Sequence, residues 1–322
     1  MKEAGRGILN RDYFFAAAIT SLIFIVVAAI SILSSFGALM LPLPLLYYYS
    51  KLGRVQGIFI FFLSLLAATI TLKIVHSPLT LHYFFLLGAV GPLLSEVLRR
   101  DYPIEKTVLY GVGAFLALGL SFLLFYSMIL GKSPWNLIEL YIFEIVRENI
   151  DSYARVGVPQ EHIAIISENA GYIANALTNL FPSLILVGAS FCVWVNILEG
   201  KLLFEKKGMW YPQFGDLSRW KIFDRMIWVF IIAGVCIVVP VKAMKIIGLN
   251  ILIVLLFIYM LQGLSIVSFY FKKKNMPWFI RGFGYFLIFA QQILLFLVIG
   301  LGLIDVWVDF RKLEKAEPDT KT

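Results

Sequence analysis

Uninterrupted apolar runs of about 18–20 residues recur along this chain, each long enough to cross a hydrocarbon core of roughly 30 Å. Nothing else in the sequence restricts the fold so strongly. In lipid every peptide N–H and C=O must be paired within the protein, which leaves helices and closed barrels. The alternating pattern of barrel strands is missing, so the runs predict α-helices. Sixty per cent of the 322 residues are apolar and 15% are charged, against about 45–50% and about 25% in ordinary soluble domains. The predicted fold class is all-α: a polytopic transmembrane helical bundle of 8–9 membrane segments with an extramembrane amphipathic helical hairpin.

Orientation is set by the stretch 182–225. Its first part, 183–197, is apolar except for Ser183, Ser190 and Asn196. The loop that follows carries Lys201, Lys206, Lys207, Arg219, Lys221 and Arg225, and positive charge beside a span favours the cytoplasmic side. The formal net charge of +8 does not imply nucleic acid, because the basic residues sit between apolar spans, where they serve topology and anionic lipid. The first apolar run is too long for a cleavable leader and reads as a transmembrane helix. Nine passes put eighteen Lys and Arg inside and ten outside. The misfit is the end of the chain, where Arg311, Lys312 and Lys315 fall outside. Whether the segment around Pro42 crosses or re-enters, and which side the C-terminus occupies, stay open at this level.

The chain divides by composition into an N-terminal transmembrane bundle (1–130), an acidic extramembrane hairpin (131–177), a C-terminal transmembrane bundle (178–312) containing the basic loop 200–225, and a disordered tail (313–322). Residues 38–49 contain Pro42 and Pro44 and end in three tyrosines, which predicts a short, irregular, broken membrane segment. Irregular backbone at that depth survives only when buried in protein or facing a cavity. The run 107–130 holds Gly111, Gly113, Ala114, Ala117 and Gly119, a pattern that predicts close helix packing. In the hairpin, Ile138, Tyr141, Ile142, Ile145 and Ile150 share a side of one amphipathic helix. A second helix starts near Pro159 and runs on through Asn175 and Asn179 into the span around Pro182. The run 279–303 predicts the last span.

Catalytic and metal motifs are missing: there is no HExxH, GxSxG, Walker loop or CxxC. His76, His82 and His162 are scattered, and Cys192 and Cys236 lie inside apolar segments as packing residues. Glu96 and Asp305 sit near span ends, where an acid stays hydrated. The chain is therefore expected to be no enzyme and to need no cofactor or metal. What remains at depth is neutral and polar. The candidate ligand-binding residues are Pro42, Pro44, Tyr48, Asn179, Gln262, Gln291 and Gln292. Amides are costly to leave unpaired in lipid, so they face protein or ligand. A small polar or amphiphilic ligand fits this set, and helix–helix bonding fits it equally well.

The Pro42-Leu-Pro44 segment with its tyrosines and basic turn resembles the YybS family of bacterial membrane proteins, a domain of unknown function. So do Phe181-Pro182-Ser183, the block from Trp194 through Gly208-Met-Trp-Tyr-Pro-Gln-Phe214 to Trp220, Gln262-Gly263, and the ending Gly302-Leu-Ile-Asp305-Val-Trp-Val-Asp-Phe-Arg-Lys312. The resemblance implies a multi-pass protein of the bacterial cytoplasmic membrane. It also implies a distant similarity to the substrate-binding components of energy-coupling-factor vitamin transporters, which hold a small molecule between helices. Two readings follow. One is a small-molecule-binding membrane component linked to transport. The other is a non-catalytic envelope scaffold that docks a membrane or cytoplasmic protein through 200–225.

Overall fold

The computed structural model describes residues 11–30, 37, 39–75, 81–155 and 157–312. The expected disordered tail 313–322, the basic start before Arg11 and the turn holding His76 lie outside the described residues. Among the described residues every regular element is helical, with twelve α-helices and one 3-10 turn. The chain forms two compact units. One comprises Met1–Pro134 and Gly188–Gln213, the other Trp135–Val187 and Phe214–Thr322.

The first unit is built from α1 (Arg11–Ala29), α2 (Pro42–Leu52), α3 (Arg54–Val75), α4 (Leu81–Leu98), α5 (Ile104–Leu130) and the C-terminal half of α8 (Ala170–Lys206). Phe24, Leu41, Leu45, Ile60, Phe61 and Phe84 close its core. The segment expected to be irregular is a regular helix. Pro42 and Pro44 fall in the first turn of α2, where backbone N–H groups have no intrahelical acceptor, so two missing donors cost nothing. Gly53, at φ 98°, ends the helix, and its N–H closes on the Tyr49 carbonyl.

Ion pairs decide how the Pro42 segment runs. Lys51 Nζ meets Asp12 at 2.9 Å, and Arg54 grips Glu96 with Nε at 2.8 Å and Nη2 at 2.7 Å. The start of α1, the end of α2, the start of α3 and the end of α4 therefore lie at one end of the unit. The described helix of this segment, α2, therefore runs towards the end at which α1 and α3 begin, and covers about 16 Å at 1.5 Å per residue. Tyr47 packs edge-on against Phe204 at 5.7 Å, so Lys201, Lys206 and Lys207 share this end with Lys51, Arg54 and Arg99.

The small residues of α5 do less than their number predicts. A Cβ at Gly111 would lie 3.1 Å from Val193, but Gly113 and Gly119 have nothing within 4 Å. Only the first turns of α5 are tightly packed.

The second unit contains α6 (Pro134–Arg155), α7 (Gln160–Glu168), the first half of α8, the 3-10 turn Leu217–Arg219, α9 (Met226–Val238), α10 (Lys242–Lys273), α11 (Trp278–Ala290) and α12 (Gln292–Val308). The expected amphipathic stripe on α6 is met in part: Ile138, Ile142 and Ile150, joined by Val146, pack with Ala174, Ile173 and Leu177 of α8, whereas Tyr141 and Ile145 are exposed. The second helix expected to start near Pro159 is interrupted at Asn169, which separates α7 from α8; beyond that point α8 passes through Pro182 as expected.

Among the described residues six helices are long and apolar enough to cross a membrane, or seven if α11 and α12 count as one span. The 8–9 segments expected from sequence are not reached by length and composition. The last expected span is bent by 102° at Gln291. Its entry, at Trp278, lies five residues after the end of α10 at Lys273. Its exit returns to the same end of α10, where Tyr270 Oη donates to the Phe310 carbonyl at 2.9 Å. The pair doubles back, so Arg311 and Lys312 lie on the side of the lysines that end α10. Lys315, the third residue of the charge misfit, lies outside the described residues.

The crossing of α10 and α12 is backbone on backbone. A Cβ at Gly263 would sit 2.0 Å from the Val298 carbonyl oxygen, and one at Gly302 would sit 2.1 Å from that of Tyr259. No side chain fits there. Gly302→Val is expected to lower stability by at least about 1–3 kcal/mol, the range for overpacking. It should lower the melting temperature of the purified protein, whereas Gly113→Val, at an open position, should not.

Candidate functional site

The candidate residues are not brought together. Pro42 and Pro44 are buried in the core of the first unit, and the half-buried Tyr48 packs on the same cluster. Asn179 has a local role. Pro182 lies in the middle of α8, where a missing N–H disturbs the helical ladder. One residue later, Asn250 of α10 repairs it: its Oδ1 accepts from Ser183 N at 3.0 Å and its Nδ2 donates to the Asn179 carbonyl at 2.9 Å. The Asn179 side chain donates to Asn175 Oδ1 at 2.9 Å. Gln291 and Gln292 are exposed at the α11–α12 bend. Asn250 and Gln262 are twelve residues apart on α10, about 18 Å along a helix axis, which is too far to share one small ligand.

Gln262 is buried, but in a polar cluster the sequence did not announce. Asp305, expected to be hydrated, has no exposed side-chain surface, and neither does Arg311, whose Nη2 meets Asp305 Oδ2 at 2.8 Å. Asp305 also accepts from Gln262 Nε2 at 3.0 Å and from Phe310 N at 3.0 Å. Arg311 Nη1 points at the carbonyls of Ser218 (3.1 Å) and Trp220 (2.8 Å) and at Ser265 Oγ (2.7 Å). Gln262 Oε1 accepts from Ile222 N at 3.2 Å. These groups clamp residues 217–222 of the basic loop and the chain after α12 onto α10. Such a pair gives little net stability, but leaving one charge buried alone costs about 3–5 kcal/mol.

Asp216 caps the 3-10 turn at the loop's edge. Its Oδ1 accepts from Ser218 N at 3.0 Å and Ser218 Oγ at 2.8 Å, and it pairs with Lys272. Burial pushes its carboxyl up, but the Lys272 bond and the two Ser218 bonds outweigh this and bring it down to about 2.

Beside the clamp lies an open-sided cavity of about 310 Å³. Ile266 and Val267 of α10 and Leu301 of α12 form its apolar walls, Tyr270 and Phe310 close it, and Lys274 is its single charged lining residue. The clamp positions this lining: Asp305 fixes the Phe310 N–H and Tyr270 fixes the Phe310 carbonyl. The volume is at the lower end of the range for small-molecule pockets, about 300–1,000 Å³. No group of three or more His, Cys, Asp or Glu that could hold a metal occurs among the described residues. The sequence hint to the cavity was the apolar, aromatic and basic run 266–274. Its partners, 301 and 310, could not be paired with it from spacing.

A family model for a predicted membrane protein family, DUF2232, matches residues 18–306. The chain belongs to this family. No curated protein and no solved structure matches it. The part matched to DUF2232 includes Gln262, Ser265, Leu301 and Asp305, and stops short of Phe310 and Arg311. The family description extends to membrane residence and to no activity.

Two outcomes are expected. Arg311→Met alone should destabilise the protein by about 3–5 kcal/mol, whereas Arg311→Met with Asp305→Leu should recover most of that loss, as read in melting temperatures. The Asp216 pKa is depressed on folding, so its contribution is complete above about pH 4, near the ordinary carboxyl value, and is lost as pH falls towards about 2. Wild-type melting temperature should drop across that window more than that of Asp216→Asn.

Proposed function

We propose that this DUF2232 protein is a non-catalytic, small-molecule-binding component of the bacterial cytoplasmic membrane that serves a transport system. The observation that carries the reading is the cavity of about 310 Å³ with apolar walls and one lysine, held in shape by a buried ion-pair clamp. Its chemistry suits an amphiphilic molecule. The resemblance to YybS, and through it to the substrate-binding components of energy-coupling-factor transporters, supports the same reading. In the topology we infer, α1, the Pro42 segment, α3, α4, α5, α8, α9 and α10 cross, while α11 and α12 re-enter. Arg11, the basic loop and Lys312 are then all cytoplasmic. That assignment rests on the ion pairs and on the clustering of basic residues at one end of the first unit.

The test is a melting-temperature screen of the purified chain against amphiphilic metabolites and lipids. At least one should raise the melting temperature in the wild type and fail to do so in Leu301→Trp, which fills the cavity. If no amphiphile stabilises the protein and deletion leaves uptake unchanged, the reading falls. A scaffold is the second reading. It is favoured by Trp210 and Phe223 of the basic loop, which are 61% and 74% exposed. A stoichiometric partner crosslinked through 200–225, with no stabilising amphiphile, would select it.

A further inference from the structure

We infer that the cavity is a site for an anionic phospholipid of the cytoplasmic leaflet, with the acyl chain between Ile266 and Leu301 and the headgroup phosphate at Lys274. This deepens the proposed function and rests on it. The argument begins with depth. Lys272, Lys273 and Lys274 end α10, and Trp278 and Phe279, which follow Pro277, are 83% and 67% exposed. Lysines next to outward-facing aromatic rings mark the membrane–water interface. The lining residue Val267 lies seven residues before Lys274, about 10 Å along the helix axis. The cavity thus runs from headgroup level towards acyl-chain depth, the direction in which a lipid lies.

Charge then selects among lipids. Apolar walls alone give no preference, because bilayer hydrocarbon is as apolar as leucine. The discriminating contact must be polar, and Lys274 is the charged residue available to make it. No carboxylate lines the cavity. Lys272 is held by Asp216, whereas no ion pair among those described engages Lys273 or Lys274. A lysine at this level favours an anionic over a zwitterionic headgroup by about fivefold.

The full-length protein is purified in a neutral detergent and titrated with phosphatidylglycerol, phosphatidylcholine or inorganic phosphate. Melting temperature and lipid retention by native mass spectrometry are recorded. Phosphatidylglycerol should stabilise the protein and be retained, phosphatidylcholine should do so at least about fivefold more weakly, and phosphate should do nothing. Lys274→Gln should erase the difference between the two lipids. Lys245→Gln, at the opposite end of α10, should leave it intact. Leu301→Trp should abolish retention of both, with Val267→Phe as the substitute if that variant does not fold. Equal retention of the two lipids by wild type, stabilisation by phosphate alone, or equal losses in the Lys274 and Lys245 variants would overturn the inference. If a neutral amphiphile is then still displaced by Leu301→Trp, the proposed function survives without it. If Leu301→Trp leaves phosphatidylglycerol retention unchanged, both fall.

Discussion

A peptide group that leaves a helix near the hydrocarbon region must find a protein partner, because no water is there to supply one. Much of this structure answers that demand. Residues 217–222 lie against α10 without being part of a helix that crosses, and their carbonyls turn to side chains: Ser265 Oγ faces those of Leu217 and Trp220, and Arg311 reaches those of Ser218 and Trp220. A single guanidinium serves two of these carbonyls and a serine hydroxyl, while its other nitrogen carries the charge to Asp305. The carboxylate in turn holds the turn after α12. Asn250 applies the same logic to Pro182 by standing in for the bond the proline disturbs. In both places polar side chains from α10 serve an interruption in another segment, Ser265 and Gln262 at residues 217–222 and Asn250 at Pro182, which explains polar residues on so oily a helix.

The ion pairs of the first unit act differently. Lys51–Asp12 and Arg54–Glu96 are partly exposed, and pairs of that kind contribute about 0–1 kcal/mol each. Their value lies in position. They tie together helix ends far apart in sequence, and so record which ends face the same side. Tyr49 adds a hydrogen bond to Glu96 at 2.9 Å, which joins the tyrosine cluster to the same ion-paired end of the unit.

The helical class, the spans α1, α3, α4, α5 and α10, and the stripe on α6 were legible, because apolar runs and a 3.6-residue period are local signals. The run of α8 through Pro182 was legible for the same reason. The character of α2 was misread: prolines were taken as breakers, although at the first turn of a helix they take the place of donors that have no acceptor. The bend at Gln291 gave no signal, having neither Gly nor Pro at the break. Asp305 and Arg311 look like ordinary charges flanking a span. Their burial depends on a loop about ninety residues earlier in the chain, and spacing carries no trace of such a pairing. For the same reason the amides could not be sorted: Gln262 is buried and bonded, Asn179 and Asn250 serve the helix around Pro182, and Gln291 and Gln292 are exposed.

The touching backbones at Gly263 and Gly302 have a mechanical corollary. With no side chain between them, the two helices meet at a fixed depth, since a carbonyl oxygen bars each backbone from coming closer. The walls of the cavity, Val267 and Leu301, stand just off that crossing. Any side chain that wedged the backbones apart would therefore also reshape the hollow between them.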